Sequence, residues 1–149
     1  MKISTKGRYG LRAMVDLAAN SKGEHVALCN IAERQGISIN YLEQVFSILR
    51  KSGLVKSVKG AQGGYVLNEN PENITVGRIL RALEGPLSII DENDENPGSG
   101  ETSIQHCLKV IVWDKINKSL NDLVDSMTLK DLADKYRKMN GTETIMYYI

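Results

Sequence analysis

A glycine-rich turn between two short apolar runs constrains the fold of this chain more than any other feature of its sequence. The runs at residues 54–58 and 65–67 are typical of short strands, and residues 59–64 between them carry three glycines. Glycine readily adopts the positive φ angles that tight hairpin turns require. The pattern predicts a two-stranded β-hairpin with Lys59 at its tip. The three glycines are Gly60, Gly63 and Gly64.

Three helical segments precede the hairpin. Apolar residues recur with helical spacing over residues 6–21 and 28–35, and Ser38 can cap a third helix. Gly36 ends the second helix and leaves only a tight turn before the third. Two helices joined by a tight turn and followed by a small hairpin predict a winged helix-turn-helix. In many DNA-binding proteins the second helix of that motif enters the major groove.

The third helix carries polar side chains that suit a DNA groove. Gln and Asn pair with adenine, Glu accepts a hydrogen bond from cytosine, and Arg or Lys binds phosphate. Backbone N–H groups of the wing can approach phosphates, and Lys59 can enter a minor groove. Polar side chains also occur on any solvated helix, so a winged helix that binds only protein remains an alternative. The outward set comprises Asn40, Glu43, Gln44, Ser47, Arg50 and Lys51.

A long apolar stripe lies in the second half of the chain. Thr75 caps a fourth helix that ends at Gly85, and an acidic stretch at residues 91–102 follows. Helical periodicity returns over residues 104–127, and Thr128 opens a short last helix. A stripe of this length in so small a chain requires a partner surface. We therefore predict that residues 104–127 form a dimerisation helix.

The predicted fold is mainly α with a small β-hairpin, in which a winged helix-turn-helix DNA-binding domain is joined to a long C-terminal dimerisation helix. Residues 1–84 form the DNA-binding domain in this prediction, and residues 85–103 form a flexible acidic loop. Residues 104–139 form the dimerisation helix with a short helix after it, and residues 140–149 form a C-terminal tail.

Charge is distributed unevenly along the chain. Residues 1–67 carry ten Lys or Arg against four Asp or Glu, a net charge of +6, and residues 68–149 carry nine against fourteen, a net charge of −5. A polyanion is attracted to the first half only. Two ordinary solvated surfaces would give the same numbers, so the charge agrees with nucleic-acid binding without requiring it.

The composition also indicates a compartment and excludes several function classes. No apolar run approaches the roughly 18 residues of a membrane span, and residues 1–10 lack the apolar core of a signal peptide. We expect a cytoplasmic protein in which Cys29 and Cys107 are reduced thiols. No pair of nucleophile and base is evident, nor a phosphate-binding glycine loop that leads into a helix. The chain is therefore predicted not to be an enzyme.

Three stretches of sequence resemble the Rrf2-type family of winged-helix transcriptional repressors: MKISTKGRYGLRAMVDLA, ISINYLEQVFSILRKSGLVKSVKGAQGGYVL and ITVGRILRALEGP. The resemblance covers nearly the whole chain. It implies that the YLEQ helix lies in the major groove, that the wing lies in the minor groove, and that the long helix crosses to a second subunit. Lys59 stands where the family usually has arginine, which predicts weaker discrimination by the wing. The DNA-binding residues implied are Ser38, Asn40, Tyr41, Glu43, Gln44, Arg50, Lys51, Lys59, Gly60, Gly63, Gly64 and Tyr65.

The same resemblance bears on cofactors and on the genes controlled. One branch of the family holds a 2Fe–2S cluster with three cysteines and a histidine before the long helix, where this sequence has only His106 and Cys107. We therefore predict no cofactor and no metal. The resemblance to the family's regulators of cysteine metabolism implies repression of cysteine or sulfur metabolism genes. Regulation of iron–sulfur cluster assembly is the alternative. Cys29 is interpreted as a small apolar core residue, and a thiol redox sensor at Cys107 is a minor possibility.

The residues at 145–149 are apolar and aromatic after a polar stretch. The resemblance to regulators of cysteine metabolism implies that this tail docks into cysteine synthase (O-acetylserine thiol-lyase), with Ile149 presenting its carboxylate and Tyr148 packing at the rim. Packing of the tail on its own dimer is the alternative. The candidate partner-binding residues are Tyr147, Tyr148 and Ile149.

Overall fold

Three helices and a β-hairpin form the first half of the chain. The computed structural model describes residues 2–60, 63–91 and 100–141. The two strands pair antiparallel, with Val58 opposite Gly64 beside the turn. Each of these elements begins within one residue of its predicted start, and the predicted winged fold is confirmed. The elements are α1 (Thr5–Asn20), α2 (Leu28–Gln35), α3 (Ile39–Lys51), β1 (Val55–Val58) and β2 (Gly64–Leu67).

The second half is helical throughout its described residues, apart from short connections. The hydroxyl oxygens of Ser38, Thr75 and Thr128 each accept a hydrogen bond from a backbone N–H in the helix that follows, which confirms the three predicted caps. The long helix expected over residues 104–127 is interrupted by a π-helical turn. The elements are a 3-10 turn (Pro71–Asn73), α4 (Val76–Glu84), α5 (Ile104–Leu108), the π-helical turn (Lys109–Trp113), α6 (Asp114–Ser126) and α7 (Leu129–Met139).

The main apolar core surrounds α1, and the last helix contributes to it directly. Leu129 of α7 is fully buried in the same cluster as Leu17 of α1. Arg137 of α7 donates hydrogen bonds to the backbone oxygens of Ala18 and Ala19 at the end of α1. The first and last helices therefore form one unit. Further fully buried members are Met14, Ile31, Leu42, Phe46, Leu49, Ile74 and Ile79.

A second junction joins α4 to α6. Gly77 allows the two helices to approach, because a Cβ atom at this position would overlap the carboxylate of Asp125. Arg81 of α4 donates to Asp125 at 2.7 Å and to Asn121 at 3.0 Å. The second apolar cluster lies beside these contacts and consists of Val76, Leu80, Leu87 and Val124.

The segment after α4 is attached to α6 before it enters the acidic stretch. The backbone N–H of Ile89 donates to Asn117 at 2.9 Å, and the Asn121 amide donates to the oxygen of Leu87 at 3.0 Å. The start of the predicted acidic loop is thus held on the long helix. Residues 92–99 of that loop and residues 142–149 of the tail lie outside the described residues. None of the helices in the described ranges is long and apolar enough to cross a membrane.

Candidate nucleic-acid interface

The turn between α2 and α3 is built by three consecutive residues. Gly36 adopts a left-handed φ of 65° and its N–H returns to the oxygen of Ala32, so the chain leaves α2 within one residue. Ile37 is buried beneath the turn. Ser38 then caps α3 through its side-chain oxygen, which accepts from the N–H of Tyr41 at 3.1 Å. This local sequence fixes the direction in which α3 begins.

A buried ion pair holds α2 against α1. The Asp16 carboxylate is 1% exposed, and Arg34 of α2 binds it through two nitrogens at 2.7 and 3.0 Å. Gln35 donates to the same carboxylate at 2.8 Å. The hydrogen bonds that Arg34 donates to the Asp16 carboxylate raise the pKa of Arg34 above its ordinary value. The sequence carries one signal for this pair, an acidic residue within the apolar face of α1, but helical periodicity does not identify its partner.

The outward face of α3 carries the predicted readers. Asn40, Glu43 and Gln44 are exposed and, with the half-buried Ser47, line a shallow depression. Arg50 and Lys51, also predicted, are exposed in the last turn of the helix. The opposite face is buried in the core and consists of Leu42, Val45, Phe46 and Leu49.

Tyr41 makes a different contact from the other predicted readers. Its ring packs edge-on against Tyr9 of α1, with centroids 6.0 Å apart. The guanidinium groups of Arg8 and Arg12 lie over Tyr9 at 5.9 and 5.1 Å. Within the chain, Tyr41 therefore positions α3 on α1. The structure therefore places two cations, Arg8 and Arg12, beside the start of α3, and neither was among the predicted site residues. Their spacing of four residues on α1, one helical turn, was the signal that could have identified them.

The wing is attached to the loop before α2 by its second strand. Tyr65 and Val26 exchange two backbone hydrogen bonds of 2.9 Å. Gly64 is required at this crossing, because a Cβ atom there would overlap the backbone of Val26. Tyr65 itself is half-buried. The second strand is therefore fixed on the helical core close to the turn of the wing.

The tip of the wing presents Lys59 and Gly60, both exposed. Gly60 has a φ of 138°, in the region that L side chains rarely adopt, and its oxygen accepts the N–H of Gly63 at 3.1 Å. The turn was predicted to require glycine, and the φ angle of Gly60 agrees with this prediction. Ala61 and Gln62 lie outside the described residues.

A cleft of about 460 Å³ separates α3 from the wing. Glu43 lines both this cleft and the depression on α3, so the helix face and the wing form one continuous surface. Cys29 lines the cleft as well and is exposed. Its interpretation as a small apolar core residue is wrong, because α2 turns Ile31 inward and residue 29 toward solvent.

The second cysteine lies far along the chain, on α5. Cys107 is exposed, and the neighbouring His106 is half-buried at the start of that helix, where its backbone N–H donates to Ser103 at 3.0 Å. Among the described residues, no group of three or more His, Cys, Asp or Glu side chains could hold a metal ion. An iron–sulfur cluster of the kind bound by three cysteines and a histidine does not fit these donors.

Comparisons with known proteins agree with this geometry. The model of the Rrf2 family, described as an iron-dependent transcriptional regulator, matches residues 3–135. The HTH-type transcriptional regulator CymR of Bacillus subtilis (strain 168) is 44% identical, over 100% of both chains. The HTH-type transcriptional regulator IscR of Pectobacterium atrosepticum is 40% identical, over 94% of this chain and 84% of its own.

A solved structure is similar over almost the whole chain. The structure of CymR, the global cysteine regulator of B. subtilis, superposes with a TM-score of 0.76 at 42% identity. The superposition covers 91% of this chain and 98% of the CymR chain.

Proposed function

Because this chain belongs to the Rrf2 family of transcriptional regulators, we propose that it is a repressor that binds operator DNA as a homodimer. The observation that carries the proposal is the continuous surface formed by α3 and the wing. Glu43 joins its two parts, because it lines both the depression on α3 and the cleft beside the wing. A helix of this kind fits a major groove, and a hairpin beside it reaches the next groove or the backbone. No catalytic step is part of this proposal.

The residues of the surface divide by the contacts that their chemistry allows. Asn40, Glu43 and Gln44 read base edges, because they carry exposed donors and acceptors on one helix face. Tyr41 and Tyr65 position the helix and the wing through their ring contacts. The remaining predicted residues contact phosphate or the minor groove. These are Ser38, Arg50, Lys51, Lys59, Gly60, Gly63 and Gly64.

The dimer is supported by apolar side chains that are exposed in the part of the chain that the structure describes. Ile104 is 80% exposed and Leu123 is 59% exposed, on a helix whose other face packs on α4. Apolar surface of this extent favours association with a second copy. Two copies related by a twofold axis would read a partly symmetric operator.

We assign cysteine and sulfur metabolism as the regulated process and the cytoplasm as the site of action. The support is the match to CymR over the full length of both chains, together with the cysteine regulation named for CymR of B. subtilis. Regulation of iron–sulfur cluster assembly is the alternative. A protein purified without oxygen that shows visible iron–sulfur absorbance would favour that alternative.

DNA binding is tested by selecting fragments of the encoding genome on the purified protein and measuring their affinity by fluorescence anisotropy. Binding to a selected operator should weaken steeply with salt, with a logarithmic slope of roughly 0.9 for each phosphate neutralised. Fragments upstream of sulfur-metabolism genes should dominate the selection. A protein that selects no duplex and shows no salt-dependent binding would instead be a module that docks on protein.

The tail supports a second, dependent proposal. The segment at 145–149 resembles a docking peptide for cysteine synthase and lies outside the described residues. Deleting Tyr148 and Ile149 should spare operator binding and abolish association with cysteine synthase, and O-acetylserine should dissociate the intact complex. Calorimetric titration of cysteine synthase with the intact and shortened proteins decides this. Equal heats and affinities for the two would remove the tail from the mechanism.

A further inference from the structure

A cavity of about 340 Å³ lies between α1, α2 and α7. It shares no lining residue with the cleft and the depression of the candidate nucleic-acid interface. Its volume falls within the range of about 300–1,000 Å³ that is typical of small-molecule sites. The cavity is therefore a second candidate site, separate from the surface proposed for DNA.

The first and last helices supply the apolar lining of this cavity. Leu11 and Val15 lie four residues apart on α1, and Leu132 and Tyr136 lie four residues apart on α7. Side chains with this spacing share one face of a helix, so each helix turns an apolar strip toward the cavity. Two such strips favour a ligand with a hydrocarbon or aromatic body.

The charged lining of the cavity is positive. Asp16 lines the cavity too, but its buried carboxylate accepts hydrogen bonds from Arg34 and Gln35, which compensate its charge. Arg8 and Arg12 also line the cavity, and among the described residues neither of them forms an ion pair with a carboxylate. Two arginines beside an apolar lining favour a ligand that carries an anionic group.

Arg12 connects the cavity to the helix-turn-helix. Its guanidinium donates a hydrogen bond to the backbone oxygen of Gln35, the last residue of α2 before the turn. The same guanidinium lies 5.1 Å from the ring centre of Tyr9, which packs against Tyr41 at the start of α3. A ligand that binds Arg12 therefore acts on both ends of the connection between α2 and α3.

From these observations we infer that the cavity binds a small carboxylic acid with an apolar body, and that its carboxylate competes with the oxygen of Gln35 for Arg12. The apolar body lies on the strips of α1 and α7. Binding withdraws Arg12 from the turn before α3 and lowers the affinity for operator DNA. This regulatory effect rests on the proposed function, whereas binding of the acid does not.

A second copy of the chain matches the cavity less well than a small acid does. The exposed apolar side chains at the start of the long helix lie within residues 104–111, a segment that contains no Asp or Glu. That segment of a second copy would leave Arg8 and Arg12 without an anion. A small carboxylic acid supplies the apolar body and the anion together.

The binding test uses 4-phenylbutyrate as the probe and its neutral amide, 4-phenylbutyramide, as the matched control. Both are titrated into the full chain without DNA, and binding is followed by the NMR shifts of assigned backbone amides. The carboxylate should bind with a dissociation constant on the order of 1 mM, and the amide about tenfold more weakly. The shifts should concentrate at residues 8–16, at Gln35 and at residues 132–136.

Substitutions separate the charge of the cavity from its apolar lining. Arg12→Gln should weaken binding of phenylbutyrate about tenfold and leave binding of the amide unchanged. Lys135→Gln is the matched control, because Lys135 is an exposed cation of α7 that does not line the cavity, and it should change neither affinity. Tyr136→Ala should weaken both probes by the same factor. Equal losses of phenylbutyrate binding in Arg12→Gln and Lys135→Gln would overturn the site.

The regulatory effect is measured by fluorescence anisotropy on operator DNA, with equal sodium chloride as the control for salt. Saturating phenylbutyrate should raise the operator dissociation constant at least about fivefold in the unaltered protein and leave that of Arg12→Gln unchanged. An unchanged operator affinity in the unaltered protein would overturn the coupling, and the proposed function would stand.

The remaining outcomes keep the site and the proposed function apart. A protein that binds phenylbutyrate but no duplex would overturn the proposed function and retain the site. Absence of shifts around the cavity would overturn the site, because it would show that the cavity takes no small acid. Shifts that appear only after residues 142–149 are deleted would overturn it as well, since the tail would then be the occupant.

Discussion

The ring of Tyr65, on the second strand of the wing, lies tilted against the ring of Phe46 on α3, with centroids 4.9 Å apart. Phe46 is fully buried, so the wing is attached to the inner side of the same helix whose outer side carries Glu43 and Gln44. The relative position of wing and reading helix is therefore set by one aromatic contact within the core, together with the backbone pairing of Tyr65 and Val26.

Tyr65→Ala tests this coupling. Loss of the ring should lower the free energy of unfolding by about 2–3 kcal/mol and weaken operator binding, because the wing loses its support. Tyr65→Phe keeps the ring contact and should preserve both properties, as measured by denaturant unfolding and fluorescence anisotropy. A Tyr65→Phe protein that is stable but binds DNA poorly would show that the hydroxyl contacts DNA directly.

Gln44→Ala tests base reading on α3. Because Gln44 is exposed on the outward face, its loss should cost about 1–3 kcal/mol of specific binding and leave non-specific binding nearly unchanged. Lys59→Ala, at the tip of the wing, should lower the affinity for all sequences. Titrations against operator and scrambled duplexes make the comparison. An identical uniform loss in both variants would contradict the division between helix and wing.

Leu123→Glu tests the dimer interface without disturbing the core of the subunit. Leu123 is 59% exposed, so a carboxylate there should give a folded monomer with weakened operator binding. Leu120 is half-buried and packs against the second apolar cluster, so Leu120→Glu should unfold the chain as well. Sedimentation and circular dichroism distinguish the two. A dimeric Leu123→Glu protein would exclude this face from the interface.

Arg34→Met tests the ion pair between α1 and α2. The buried Asp16 carboxylate would lose its main partner, which should lower the free energy of unfolding by about 3 kcal/mol. Adding Asp16→Asn to Arg34→Met removes the buried charge and should recover part of that loss. Urea unfolding of the single and double variants provides the measurement. A double variant less stable than Arg34→Met would contradict an electrostatic origin.

The ion pair between Asp125 and Arg81 should make the folded protein less stable in acid. Its hydrogen bond with Arg81 lowers the pKa of the Asp125 carboxyl below the ordinary value. This stabilisation is fully present above the unfolded pKa, near 4, and is lost as the pH falls through the lowered folded value. Asp125→Asn should therefore reduce the difference in unfolding free energy between about pH 3 and pH 7. An unchanged pH profile would mean that the pair contributes nothing to stability.

Elements that depend on local chemistry were predictable from the sequence. Ser38, Thr75 and Thr128 each fixed the start of a helix, because a capping side chain acts on a backbone only three residues away. Gly36 fixed the end of α2 for the same reason, through its left-handed backbone. The order of these signals was sufficient for the winged fold, since few topologies are compatible with them.

Contacts between elements were harder to predict from the sequence. Asp16 and Arg34 are 18 residues apart, and their pairing depends on the rotation of two helices that periodicity does not specify. Phe46 is the largest fully buried side chain among the described residues, and its ring contact with Tyr65 joins two elements whose relative position local sequence patterns do not specify. The π-helical turn Lys109–Trp113 was not predicted either, because apolar residues at regular helical spacing give no sign of a single widened turn.

The contacts of Arg137 with the backbone of Ala18 and Ala19 have a consequence for the synthesis of the chain on the ribosome. The carbonyl groups at the end of the first helix acquire these partners only after residue 137 has been translated, and the core around Leu17 is closed by Leu129 at about the same time. The nascent winged helix must therefore wait several seconds, at about 5–20 residues per second, with one side of its core open. Binding of the operator by a chain that still lacks residues 129–137 is accordingly disfavoured, because one side of the winged-helix core is open until they are added.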